Sequence, residues 1–298
     1  MTPHIPVMLK EVLDYLQPKD GENILDGTFG AGGYARAILD NCNCNVTGVD
    51  RDEQVRCFAD EIIRIYGSRF KFYNLKFSEV KSVLKENSLD GIVLDLGVSS
   101  MQLDEGSRGF SFNKDALLSM TMGRNNITAF DVVNTYTETE IADIIYRYGE
   151  ERKSKVIAKK IIQSRPINST TELAVAVRKC FSDKRGKIDN ATKTFQALRI
   201  YVNDELFELR TILVDSIGLL KSGGRLIVVS FHSLEDKIVK DFFNENSNSK
   251  TKKINKYREE SEKTIFKILT KRPVVVSEEE SNKNHRARSA KLRGVTKC

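Results

Sequence analysis

Three acids in this chain stand where a ligand could use them, and the first leads into a glycine-rich turn. Ile24-Leu25-Asp26-Gly27-Thr28-Phe29-Gly30-Ala31-Gly32-Gly33 runs from an apolar stretch into a carboxylate and through four glycines. Tyr34-Ala35-Arg36-Ala37-Ile38-Leu39 behind it reads as a helix. Glycines accept positive φ and let a ligand reach the main chain without meeting a Cβ, and a helix start offers N–H groups with no partner in the helix. Gly30-Ala31-Gly32-Gly33-Tyr34-Ala35 also fits the G-x-G-x-x-A dinucleotide pattern. Asp26 speaks against a pyrophosphate in that turn, because like charges repel. It favours a cationic ligand, one carrying an ammonium and a sulfonium, such as S-adenosylmethionine. A βα turn that binds nothing is the bland alternative.

The other two acids also end strand-like runs. Asn45-Val46-Thr47-Gly48-Val49-Asp50 places Asp50 at roughly the spacing where an acid accepts from both hydroxyls of an adenosine ribose; otherwise Asp50 caps the helix that follows. Leu89-Asp90-Gly91-Ile92-Val93-Leu94-Asp95 places Asp95 at the carboxyl edge, where open α/β sheets bind ligands. Leu96-Gly97-Val98-Ser99-Ser100-Met101-Gln102 after it adds two hydroxyls and an amide in one loop. Asp95 as an Asx-turn or cap residue is the alternative. Phe77, expected to end a third strand over 70–77, either covers an adenine face or is plain core.

These residues need a scaffold that brings strand ends to one edge. The first hundred residues alternate strand and helix patterns, which predicts a doubly wound parallel sheet. Residues 52–66 show helical apolar spacing, and 89–97 is apolar enough for burial on both faces. Between about Asp104 and Lys193 strand patterns vanish, and 137–148, 151–163 and 170–181 read as amphipathic helices. Strand character returns at 225–230, after a long helix to Leu220 and a turn at Lys221-Ser222-Gly223-Gly224. Residues 264–270 and 273–277 are spaced like a closing hairpin, with a last extended piece at 289–295. The polar, lysine-rich 245–263 reads as a loop. The expected organisation is an α/β core over 1–104 and 194–298, with an inserted helical domain over 105–193.

Composition narrows the function classes. With 298 residues, 40% hydrophobic and 30% charged, the chain resembles an ordinary globular protein. No apolar run reaches membrane-span length, and Met1-Thr2-Pro3-His4-Ile5-Pro6 lacks a signal-peptide pattern. Cys42, Cys44, Cys57, Cys180 and Cys298 form no C-x-x-C pair, and three histidines are few, so no metal site is expected. Reduced thiols in a cytoplasm fit best. The net charge of +7 suits a polyanion. It clusters at Lys184-Arg185-Gly186-Lys187, over 250–256, at Lys271-Arg272 and at His285-Arg286-Ala287-Arg288.

Taken in order, longer strings resemble one family, the bacterial 16S ribosomal RNA (cytosine-N4)-methyltransferases of the RsmH/MraW type. They are Asp26-Gly27-Thr28-Phe29-Gly30 with Gly32-Gly33, Asp50-Arg51-Asp52, Leu94 through Ser100 with Gln102-Leu103-Asp104, and Arg108-Gly109-Phe110-Ser111-Phe112. Tyr148-Gly149-Glu150-Glu151-Arg152, Thr194 through Ile200, Ser230-Phe231-His232-Ser233-Leu234-Glu235-Asp236 and Arg286-Ala287-Arg288-Ser289 continue it. The resemblance covers nearly the whole chain. It implies a class I (Rossmann-like) methyltransferase sheet carrying a helical insertion, S-adenosyl-L-methionine as cofactor, and N4-methylation of a cytidine in the decoding region of 16S rRNA. It implies cofactor contacts at Gly32, Gly33, Tyr34, Asp50, Phe77, Asp95 and Gln102. The chain departs from the family at Tyr34, where many members have histidine, and at Leu118-Ser119-Met120-Thr121-Met122, where many carry Leu-Asp-Met-Arg-Met.

Methyl transfer to an aromatic amine needs that amine held and its lone pair localised. Many amino-methyltransferases do this with an Asp/Asn/Ser-Pro-Pro-aromatic loop after the fourth strand. Asp95-Leu96-Gly97-Val98 has neither proline nor aromatic, so Asp95, or a carbonyl beside it, is expected to orient N4. His232, after the fifth strand, is the second candidate, with Phe231 stacking on the base. Arg108 and Phe112 are expected to clamp the target nucleotide, which must be unstacked or flipped out. The insertion, through Lys155, Lys159, Lys160, Arg178, Lys184, Arg185 and Lys187, is expected to grip flanking RNA; solvated helix faces are the bland reading. The expected partner is 16S rRNA or the small ribosomal subunit, with no membrane role and a homodimer left open. Rival readings are a nicotinamide oxidoreductase, an RNA-binding module without catalysis, and a methyltransferase for another nucleic-acid or protein acceptor.

Overall fold

The computed structural model describes residues 6–123, 125, 127–182, 189–247 and 264–298. The chain begins with α1 (Leu9–Leu16), β1 (Asn23–Asp26), α2 (Gly33–Asn41), β2 (Asn45–Asp50), α3 (Arg56–Tyr66), β3 (Phe70–Asn74) and β4 (Leu89–Asp95). Six helices follow: α4 (Ser100–Asp104), α5 (Ala129–Thr135), α6 (Glu138–Gly149), α7 (Ser154–Gln163), α8 (Thr170–Arg178) and α9 (Thr192–Asn203). It closes with α10 (Glu205–Leu219), β5 (Leu220–Ser230), α11 (Ser233–Glu245), β6 (Phe266–Ile268), β7 (Val274–Val275), α12 (Glu278–Lys283) and β8 (Lys291–Lys297). No described helix is long and apolar enough to cross a membrane.

Two compact units result, one of Met1–Gly97 with Leu206–Cys298 and one of Val98–Glu205. The second unit is wider than 105–193. Val98 and Leu103 pack against the same core as Phe195, Leu198 and Val202 of α9, and so join the helices.

The first unit is built on a sheet of order β3-β2-β1-β4-β5-β8-β6. The five strands β3, β2, β1, β4 and β5 are parallel, and β8 runs antiparallel to β5. This is the expected class I, Rossmann-like arrangement. Successive residues of a strand face opposite sides, so each strand supplies two layers. Leu25, Ile92, Leu94 and Val228 pack with Leu209, Ile212 and Leu213 of α10 and with Ile238 and Phe243 of α11. On the other layer Gly91 makes room for α1: a Cβ there would lie 2.8 Å from Leu16 Cδ1.

Three local expectations change. Residues 264–270 and 273–277 do not pair as a hairpin; β6 and β7 each pair with β8 instead. The expected turn at 221–224 lies inside β5 as an irregularity, since Leu89 pairs Leu220 while Gly91 pairs Arg225. Gly223 supplies the positive φ it needs (80°). The third strand stops at Asn74, and Phe77 opens a 3₁₀ turn over Phe77–Ser82.

The second unit has no strand among its described residues. Its core joins Val132 and Val133 of α5, Ile141 and Ile145 of α6, Ile157 and Ile161 of α7, and Leu173 and Val177 of α8 with α9. Thr128 and Thr137 cap α5 and α6, with Asp131 and Glu140 closing reciprocal capping boxes three residues on.

Candidate active site

Four parallel strands deliver Asp26, Asp50, Asp95 and Ser230 to the carboxyl edge of the sheet. The turn after β1 is stitched to its neighbours on both sides. Toward β4, Gly27 N–H donates to the Val93 carbonyl (3.0 Å) and the Asp95 N–H donates to Thr28 Oγ1 (2.7 Å). Toward β2, Phe29 N–H donates to the Val49 carbonyl (3.0 Å) and Gly30 N–H to Asp50 Oδ2 (2.8 Å).

Asp26 is fully buried. Its oxygens accept from Thr28 N–H (3.3 Å) and Ala35 N–H (3.2 Å), fastening the turn to the first turn of α2. Burial pushes its pKa up to about 7, with the Asp50 charge adding to the shift. Asp50 accepts from Gly30 and, through Oδ1, from Asp52 N–H (2.8 Å). Asp52 rather than Asp50 supplies the side-chain cap, accepting from Gln54 N–H. Burial raises Asp50 to about 6, against those two amides. Asp95 is held well above the ordinary carboxylate range, first by burial and then by the charges of Asp26, Glu235 and Glu280. Its Oδ1 is buried and has no hydrogen-bond partner.

The glycines serve the fold more than an open path to the backbone. A Cβ on Gly32, whose φ is 75°, would sit 2.5 Å from Ile62 Cδ1 and 2.7 Å from Phe29 Cζ. One on Gly33 would sit 2.3 Å from Pro6 Cγ. Only Gly30, with nothing nearer than 3.9 Å, leaves space for a ligand at this turn. Tyr34 is buried and its hydroxyl donates to the Val7 carbonyl, so only its main chain is available to a ligand. Phe77 is half-buried against the α10 side of the core, its Cβ 4.0 Å from the position of a Cβ on Gly27.

His232 is the N-cap of α11. Its Nδ1 accepts from Glu235 N–H (3.4 Å) and its Nε2 lies 3.1 Å from Glu235 Oε1. Glu235 Oε2 in turn accepts from the N–H groups of Phe231 (2.8 Å) and His232 (3.3 Å). One imidazole nitrogen thus caps the Glu235 amide while the other lies beside the Glu235 carboxylate without a hydrogen bond to it, and His232 shapes the turn after β5. That turn places Phe231 beside the end of β4, with Cδ2 3.7 Å from a Cβ on Gly97.

Three expected site residues lie in the second unit. Gln102 is buried, and its Oε1 accepts from Ser99 N–H (3.0 Å) in a capping box at α4. An Arg108 guanidinium nitrogen donates to the Thr121 carbonyl (2.8 Å), and the group lies 5.6 Å over the Phe110 ring. Phe112 meets Phe195 edge-on at 5.0 Å and lies under Arg178 at 5.4 Å. Lys184, Arg185, Lys187 and 250–256 lie outside the described residues.

Two contributors escaped the sequence reading. Thr28 links the first and fourth strand ends through its hydroxyl. Glu235 was legible only as the third residue after a candidate cap, the spacing of a capping box.

Asp26, buried, and Asp50 and Asp95, partly buried, bring three acids to one edge, and Asp95 carries a buried oxygen without a hydrogen-bond partner; such a set suits a cationic ligand better than an anion. Asp95 and Asp50, with the open backbone at Gly30, are the groups that would hold such a ligand. A sequence profile of the MraW methylase family matches residues 1–298. The chain is 53% identical over 300 residues to the ribosomal RNA small subunit methyltransferase H of Rickettsia massiliae, covering 98% of this chain and 97% of that one. It is 51% identical over 302 residues to the protein of the same name from Rickettsia bellii, covering 99% of both. Among solved structures, a SAM-dependent O-methyltransferase from Thermotoga maritima aligns with a TM-score of 0.43 at 11% identity, over 100% of this chain and 68% of that one.

Proposed function

The chain belongs to the MraW methylase family, and we propose from that premise that it methylates N4 of a cytidine in the decoding region of 16S rRNA. It is a methyltransferase, and S-adenosylmethionine is its cofactor. The observation that carries the rRNA assignment is identity above 50% along the full length of relatives named for that substrate.

When bound, the cofactor supplies a methyl group already activated on a sulfonium, so the protein's part is alignment and exclusion of water. Asp50 accepts from ribose hydroxyls on the far side of the glycine turn. Asp95 faces the reacting end. Its buried, unpartnered Oδ1 accepts a hydrogen bond from the cytosine amine, which orients N4 and helps localise its lone pair. Methylation costs N4 a proton, and the Asp95 carboxylate, whose proton affinity burial raises, would be the group to take it. His232 and Glu235 hold the β5–α11 turn, and with it Phe231, against the end of β4.

The test is tritium transfer from labelled S-adenosylmethionine to small ribosomal subunits from cells lacking the modification, followed by nucleoside analysis. Label in N4-methylcytidine is the expected outcome. Label in another nucleoside would leave the fold and cofactor intact and overturn the acceptor.

A further inference from the structure

Charge in the second unit is unevenly distributed over its helices. α6 carries Glu138, Glu140 and Asp143 against Arg147, whereas α7 contains three lysines and no acid. Ile157, Ala158 and Ile161 turn its inner face into the core. Lys155 and Lys159, four residues apart on the opposite face, are exposed, with Val156 beside them 55% exposed and Arg152 exposed one turn earlier. Like charges at that spacing destabilise a helix by a few tenths of a kcal/mol. No acid pairs with either lysine among the described residues.

The neighbouring cations are differently engaged. Arg178 is held by Asp189 in a two-pronged pair, 3.1 Å and 2.8 Å, and stacks on Phe112. Lys153 donates to the Cys180 carbonyl (3.2 Å) and lies 4.5 Å over the Phe181 ring. Both therefore brace the end of α8. Lys179, just after α8, is also exposed, but Lys155 and Lys159 are the pair that shares one face of a single helix.

We propose that the outer face of α7, through Lys155 and Lys159, docks the phosphate backbone of the RNA flanking the target nucleotide, and that Arg178 does not take part. An acid-free pair of cations on a rigid helix meets a polyanion without first breaking internal ion pairs, and it binds by releasing counterions. Such contacts position a nucleic acid and do not read its sequence. This assignment rests on the rRNA reading above.

The test compares Lys155→Gln/Lys159→Gln and Lys155→Glu/Lys159→Glu with wild type and with Lys85→Glu, an exposed lysine of the first unit. Methyl transfer to subunits lacking the modification gives KM and kcat, and binding of protein-free 16S rRNA is followed across salt concentrations. The Gln pair is expected to raise KM about tenfold with kcat and cofactor affinity unchanged. It should also lower the salt slope of RNA binding by about 1.4, at about 0.7 per single-strand phosphate. The Glu pair should do more, and Lys85→Glu little. Unchanged KM and slope in both pairs, with wild type still methylating rRNA, would overturn the α7 assignment and leave the rRNA reading standing. A raised KM on subunits with an unchanged slope on protein-free rRNA would mean that α7 meets a ribosomal protein, which also overturns it. Failure of wild type to label any RNA would bring down the rRNA reading itself.

Discussion

Asp50 illustrates how one side chain carries both structure and binding. Its two oxygens already accept from Gly30 and Asp52, and its raised pKa of about 6 reflects burial that those amides only partly offset. A ribose diol needs the ionised form as acceptor. Cofactor affinity, measured by calorimetry, is therefore expected to weaken as pH falls through about 6 in wild type and to stay flat there in Asp50→Asn. Asp50→Ala should weaken binding roughly ten- to a hundredfold through loss of charge-assisted hydrogen bonds. Unchanged affinity would remove Asp50 from the site. For Asp95, replacement by Asn removes the proton acceptor while keeping the shape. Single-turnover transfer is expected to slow roughly a hundredfold, and an unchanged rate would take Asp95 out of the chemistry.

At the scale of elements, the β1–α2 turn is a packed joint. Gly33→Ala would press a methyl to 2.3 Å from the Pro6 ring, and overpacking of that kind costs about 1–3 kcal/mol. Gly30→Ala meets nothing closer than 3.9 Å. Its cost comes from the left-handed φ of 52°, about 1–2 kcal/mol. Urea unfolding should rank Gly33→Ala as the more damaging, while Gly30→Ala should be the one that weakens cofactor binding. The reverse order would mean that Gly33 faces the ligand and Pro6 yields easily.

For the whole molecule, the buried acids couple stability to pH. Asp26 has a folded pKa of about 7 against an ordinary 3.8, so between those values the folded state holds a proton that the unfolded chain has lost. Stability from this group is thus present below about pH 4 and is lost as pH rises toward 7. The difference in unfolding free energy between wild type and Asp26→Asn isolates that slope, and wild type should lose ground to the variant across this window. Saturating S-adenosylmethionine should flatten the slope, since a cation beside the acids favours their ionised forms. A difference that does not change with pH would place the Asp26 pKa near its ordinary value.

The parallel half of the sheet, the family and the acids at the strand ends were legible in the sequence, because strand periodicity and strand-end position are local properties of a chain. The sequence marked Asp26, Asp50 and Asp95 without saying what each would touch. It took the folded arrangement to bury Asp26 behind the turn, to set Phe29, Ile62 and Pro6 against Gly32 and Gly33, and to bring the His232 ring onto Glu235. The same arrangement decided that 266–268 and 274–275 each pair with 291–297, and that Asp189 neutralises Arg178 while α7 keeps its charge. Such outcomes depend on which groups from distant segments arrive within a few ångströms of each other. Hydrogen bonds, steric contacts and burial act over that range, and no spacing along one strand of sequence encodes it.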